Sequence, residues 1–410
     1  MAIEGLGSPA PPHLKKRAQP VGARCRVQQS VQSVSGSGGV GSGGFSNVTG
    51  SSSSETQSGH STSATSSKSA SSQSTKSSSS SSSSSSQASA TPSSGPPPFT
   101  LVNGYTGNDF FNGWSFQTGA DPTEGIVNFL SADDAKNAGL AYVNGAGNFV
   151  MGIETTPTVA NTRNAVRITS QASFNGGLVI MDAVHMPTGC GTWPAFWSNG
   201  PGTWPQNGEI DIVEGVNDYI ENQSTVHTRP GCSIAPSYSS QSTAQLVGEM
   251  DCAVVDTNNQ GCGMRNPSNV SYGAPFNSNG GGVYAMLWDN TGIAVYFFPR
   301  NGIPGDITSG QPNPASWPLP AAKWPAAQCP PYTFFEDHSA IFDTTLCGEW
   351  AGNVWNDAGI PGQEQSCAQR TGFADCESFV RASGSAFQVA CEYFLPHWEV
   401  KSVNIYQPTS

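Results

Sequence analysis

Charge is scarce in this chain. Asp, Glu, Lys and Arg make up 11% of its 410 residues, and 17 Lys and Arg stand against 29 Asp and Glu. Seven of the 17 basic residues precede residue 98, where only two acids occur, so residues 98–410 hold ten bases and 27 acids. A surface that acidic repels phosphate, which excludes a nucleic-acid partner and leaves a neutral or cationic ligand. Long apolar runs are missing as well. No stretch can span a bilayer, and residues 1–33 contain no hydrophobic segment of the signal-peptide kind. Helical periodicity is confined to one short candidate at 374–382. There is no paired CxxC spacing, no metal-ligand spacing among the histidines and no Gly-x-Ser-x-Gly elbow, so zinc sites and a serine-hydrolase triad lose their local signatures.

Turn formers are plentiful, with 47 Gly and 30 Pro. Between them lie short extended runs at 165–174, 178–186, 224–228, 282–288, 293–298 and 398–406, each rich in β-branched or aromatic residues. Gly176 and Gly177 separate the first two, which read as a hairpin. The aromatic-rich stretch 110–116 reads as an ordered segment packing onto a core. Many short strands between Gly, Pro and Asn turns imply an all-β antiparallel sandwich with a concave face along which an extended ligand can lie. Residues 45–95 are mostly serine, with an unbroken run at 77–86, and have too little to bury to offset their conformational entropy. A disordered basic and Ser-rich tail at 1–97 and one domain at 98–410 are therefore expected. Nine of the ten cysteines fall in the domain, dispersed as disulfides of an oxidising compartment would be; nine is odd, which leaves one free or paired with Cys25. Asn222 and Asn269 head glycosylation triplets. The cysteines argue for export without a visible signal peptide, so another route, or a start that is not the natural one, is expected.

Residues 209–214 concentrate the chemistry. Glu209, Asp211 and Glu214 alternate with Ile210, Ile212 and Val213, a costly place for three carboxylates on an extended strand. Side chains two apart share a face, so Glu209 and Asp211 point the same way. Glu214, five positions from Glu209, would face the other side of a regular strand. The sequence therefore predicts a one-residue bulge at Ile212 and Val213 that restores it. Trp193, Trp197 and Trp204 precede the acids closely, and indole rings can cover the apolar faces of a pyranose. Each tryptophan taken alone reads equally as core packing. Beside three acids, they point to a sugar cleft. Retaining glycoside hydrolysis needs two carboxyl groups about 5 to 5.5 Å apart, one attacking the anomeric carbon and one protonating the leaving oxygen. Glu209 is read as nucleophile, Glu214 as acid and then base, and Asp211 as the group that orients Glu209. A solvated or calcium-binding acidic strand is the plainer alternative. His227 follows by a hairpin, either at the cleft or as a structural histidine.

The stretch Glu209-Ile-Asp-Ile-Val-Glu214 resembles the E-x-D-x-x-E signature of glycoside hydrolase family 16. Its flanks GTWPAFW and NGEIDIVEGVND are similar to the fungal endo-β-1,3(4)-glucanases, or laminarinases, of that family. The resemblance extends from about residue 98 to the C-terminus. It implies a β-jelly-roll sandwich, a retaining mechanism and β-glucan with β-1,3 linkages as substrate, with no cofactor and no catalytic metal. It places nucleophile, assisting aspartate and acid/base on Glu209, Asp211 and Glu214, and cleft aromatics on Trp197 and Trp204. A third falls on Trp350, in Cys347-Gly-Glu-Trp-Ala-Gly352, with Trp355 competing; Trp193 and His227 complete the expected substrate contacts. The longer signature separates this chain from members with E-x-D-x-E, which include lichenases and cell-wall transglycosylases. A wall-glucan transglycosylase and a non-catalytic β-glucan-binding lectin remain the alternatives to a secreted or cell-wall-associated, monomeric hydrolase.

Overall fold

Two eight-stranded antiparallel sheets hold 16 of the 19 strands of the described residues. The structure, a computed structural model, describes residues 98–388 and 396–409. The expectations of a disordered tail and of an odd cysteine involve residues 1–97 and Cys391 and fall outside the described residues. The outer sheet runs Ala322–Pro325, Gly292–Pro299, Gly282–Asp289, Gly177–His185, His397–Pro408, Phe149–Gly152 and Ala141–Val143, with Phe99–Thr106 also paired to His397–Pro408. The inner sheet runs Gln245–Val247, Cys262–Arg265, Gln223–His227, Glu209–Glu214, Thr192–Asn199, His338–Leu346, Ile168–Phe174 and Trp114–Phe116. This is the jelly-roll sandwich that the sequence implied.

Period-two burial explains the layering. In Gly177–His185, Val179, Met181 and Ala183 enter the core between the sheets, while Leu178 and Ile180 join an outer cluster. Tyr284, Met286 and Trp288 likewise point inward, and Val283, Ala285 and Leu287 outward. The outer cluster is covered by Ile303, Ile307 and Trp317, so these strands are apolar on both faces. The inner sheet is apolar on its core face alone. Phe196, Ile210, Ile212, Val213, Val226, Met264 and Phe342 supply that face, with Phe196 stacked on Phe342 at 4.4 Å. Its other face is left for polar and aromatic groups. Eight of the domain's cysteines form the disulfides Cys190–Cys367, Cys232–Cys329, Cys252–Cys262 and Cys347–Cys376.

Two expectations are corrected. The stretches at 165–174 and 178–186 do not form a hairpin. Ile168–Phe174 pairs with His338–Leu346 in the inner sheet, whereas Gly177–His185 lies in the outer one. Gly176 and Gly177, both at positive φ, carry the chain between the sheets, and a Cβ on Gly177 would collide with the Tyr406 carbonyl. Asn222 is not open to a glycan. It is 1% exposed, and its amide is committed to the backbone of the acidic strand. Asn269 is exposed.

Candidate active site

Register on both neighbouring strands settles where the three acids point. Across the strand Thr192–Asn199, Glu209 faces Asn199, Asp211 faces Trp197 and Glu214 faces Ala195. Across Gln223–His227 they face His227, Thr225 and Gln223. Each trio of partners is spaced by two residues, so all three acids lie on one face, and the register shifts between Asp211 and Glu214 mark the extra residue. Ile210, Ile212 and Val213 are buried in the core beneath them. The bulge is pinned from the next strand. The Ile212 carbonyl accepts from Asn222 Nδ2 at 3.0 Å and Ser224 Oγ at 2.8 Å, while Asn222 Oδ1 accepts the Glu214 N–H at 3.0 Å. The Asn-Gln-Ser triplet read as a glycan acceptor thus serves as the brace of the bulge in the acidic strand.

Tryptophans hold the two glutamates from opposite ends. Trp204 Nε1 donates to Glu209 Oε2 at 2.9 Å, and Trp193 Nε1 donates to Glu214 Oε1 at 2.7 Å. Trp204 is 41% exposed, which leaves ring surface for a ligand. Trp350 meets Trp193 edge-on at 5.9 Å, extending the aromatic wall beyond Glu214. Trp355 is excluded as its competitor: it is 1% exposed, packs on Phe379 and donates to the Phe373 carbonyl. Trp197 donates to Asp343 Oδ2 at 3.2 Å and carries the Arg167 guanidinium over its ring at 4.9 Å, which covers one of its faces. His227 stands at this face. Its Nε2 is 3.4 Å from Asp211 Oδ2, and its ring lies 6.2 Å from that of Trp204.

Burial governs the protonation of the cluster. Glu209 is pushed up to about 8, first by desolvation and then by the Asp211 charge; His227, the Trp204 N–H and Arg167 pull against this. Glu214 is raised by burial and by Asp211, against the Trp193 hydrogen bond. Asp211 is raised well above the usual carboxylate range, first by burial and then by the neighbouring Asp343 charge. Glu209, Asp211 and His227 offer ligand atoms within 4.8 Å of one another, a donor set that could take a divalent cation. The other such group among the described residues, Cys190, Asp218 and Cys367, contains a disulfide and has no thiolate to offer.

Sequence reasoning missed Asp343 and Arg167. Asp343 lies on the strand His338–Leu346, is raised to about 6 by burial against the pull of Arg167, and pairs with that guanidinium at 3.4 Å. The signal was present: Asp343 is a carboxylate among strand formers, as Asp211 is, and Arg167 sits in an alternating run.

A jelly roll whose open inner face carries three clustered carboxyls between tryptophans is the build of a glycoside hydrolase. The comparisons name the family. The profile described as "XgeA-like, catalytic GH16 domain" matches residues 114–406. A probable glycosidase of Schizosaccharomyces pombe is 40% identical over 312 residues, 75% of this chain and 69% of the relative. A probable endo-1,3(4)-β-glucanase of Aspergillus niger is 39% identical over 313 residues, 75% of this chain and 40% of the relative. The chain thus spans less than half the length of that glucanase. Among solved structures, GH16 laminarinase 16A from Phanerochaete chrysosporium, with β-glucans in donor and acceptor sites, is 36% identical with a TM-score of 0.67, covering 75% of this chain and 99% of that one. An elongating GH16 β-1,3-glucosyltransferase is 35% identical with a TM-score of 0.65, covering 75% of this chain and 100% of that one. The chain belongs to glycoside hydrolase family 16.

Proposed function

We propose that this chain is an endo-1,3(4)-β-glucanase that cleaves β-1,3- or mixed β-1,3/1,4-glucan with retention, through a double displacement in the domain 98–410. The observation that carries the reading is the bulge that returns Glu214 to the face of Glu209 and Asp211. In the first step Glu209 attacks the anomeric carbon while Glu214 gives its proton to the departing glycosidic oxygen. In the second, Glu214 removes a proton from water, which attacks the glycosyl ester and frees Glu209. Asp211, protonated, steadies the Glu209 carboxylate as charge leaves it. Trp197, Trp204 and Trp350, with Trp193 and His227 beside them, bind successive sugar rings. Every group needed stands on one chain, consistent with a monomer, and four disulfides suit a secreted or wall-associated enzyme.

Product analysis on laminarin, lichenan and a β-1,3-oligosaccharide tests this. Shorter oligosaccharides from the interior of the chain are expected. Products longer than the starting oligosaccharide would replace hydrolysis by transglycosylation, which the relatives' glucanase names do not favour. Binding without new products would leave a lectin, for which two braced glutamates have no use.

A further inference from the structure

His338 is fully buried at the start of the strand His338–Leu346, within an aromatic cage of Phe174, Trp288 and Phe335. It touches no substrate-facing group. Its Nε2 is 2.9 Å from the Asn207 carbonyl oxygen and its Nδ1 2.9 Å from Ser198 Oγ. A carbonyl only accepts, so Nε2 carries the proton and Nδ1 accepts from the serine hydroxyl. Ser198 and Asn207 bring no charge, and Glu336 and Asp337, which precede the histidine, are exposed. Burial holds the imidazole down to about 4, so this tautomer is kept over the range where carboxylates do chemistry.

The bond to Asn207 matters because of what Asn207 ends. Residues 200–208 form the loop between the strands Thr192–Asn199 and Glu209–Glu214, and Trp204 is at its tip. The neck is closed by the Gly200 N–H donating to the Gly208 carbonyl at 3.1 Å and by Asn207 Nδ2 donating to the Pro201 carbonyl at 2.8 Å. Its outside attachments run through the Asn207 carbonyl, to His338 and to the Glu336 N–H at 3.3 Å. Exposed Trp204 depends on this loop for its place beside Glu209. We propose that His338 is a positioning residue for the reaction: by clamping Asn207 it fixes the neck of the 200–208 loop and so holds the Trp204 indole against Glu209. The inference rests on Glu209 being the nucleophile.

The test is the pH dependence of kcat/KM on laminarin for Trp204→Phe, His338→Phe and the double variant. Glu209 is faced by Asp211, Glu214, His227 and Arg167, none of which these substitutions alter. The nucleophile must be ionised, and the Trp204 N–H favours the ion. Losing that bond moves the acid limb upward by about one pH unit. Trp204→Phe should show that shift and His338→Phe part of it, with the double variant no further displaced than Trp204→Phe. A limb unmoved by His338→Phe but moved by Trp204→Phe overturns the clamp and leaves the role of Glu209 standing. Limbs unmoved in both overturn the clamp and the nucleophile assignment beneath it. Additive shifts overturn the clamp, because the two residues then act by separate routes. If His338→Phe does not fold, Ser198→Ala removes only the hydroxyl that donates to Nδ1 and steadies the ring against the Asn207 carbonyl. A smaller shift in the same direction supports the clamp; none refutes it.

Discussion

Replacing Glu209 by Gln separates the cost of the active site from its use. Folding raises this carboxyl from 4.5 to about 8. Between those values the folded chain keeps a proton that the unfolded chain has lost, so stability present at acid pH drains away as pH rises. From pH 4.5 to 7 the full shift corresponds to about 3.4 kcal/mol at 1.36 kcal/mol per unit. Glu209 is partly exposed in an open cleft, and solvent screening reduces the expectation to about 1 kcal/mol. Glutamine has nothing to titrate and can still accept the Trp204 N–H. Scanning calorimetry at pH 7 should therefore find Glu209→Gln melting higher than the parent by about 2 °C, with the difference gone at pH 4. Laminarin turnover should nearly vanish at both. A difference equal at the two pH values, or a parent that is the more stable at pH 7, refutes the electrostatic argument; undiminished turnover refutes the role.

Three further outcomes follow from the same geometry. Asn222→Ala removes two of the three ties on the bulge and leaves the Glu214 N–H unpaired, so urea unfolding should show a loss of about 2 kcal/mol, with kcat falling as Glu214 loses its placement. Trp193→Phe deprives the Glu214 carboxylate of its 2.7 Å donor and favours the protonated form. Since the acid must hold its proton, the alkaline limb of kcat/KM should move to higher pH, and an unmoved limb would detach Trp193 from that titration. Peptide mapping of protein made in a glycosylating host should find glycan on Asn269 and none on Asn222.

The bulge was legible before any coordinates because three acids at unequal spacing on one strand can share a face in few ways. Glu209, Asp211 and Glu214 stand as that parity argument required. Strand runs at 282–288, 293–298 and 398–406 were legible for the local reason that their β-branched and aromatic residues have few other uses. Partnership was not local. Two glycines after Phe174 look like a hairpin turn, but Ile168–Phe174 pairs with His338–Leu346, far along the chain, and with Trp114–Phe116, and only the competition of two sheets for one core decides between them. Asp343 and Arg167 escaped for a related reason: each is unremarked in its own segment and acquires meaning when the sheet sets it beside Trp197. Trp350 and Trp355 could be told apart only by packing, since the four residues between them turn one ring towards Trp193 and the other into a core against Phe379.

Proton NMR of the first product released from laminarin tests the proposed double displacement most directly. Attack by Glu209 behind the leaving group, followed by water from the face that the leaving group quit, requires the new reducing end to emerge as the β-anomer, with the α-anomer growing in later by mutarotation. An α-anomer at the earliest time points would mean a single displacement by water, and Glu209 and Glu214 would have to exchange the roles given to them here for those of a base and an acid.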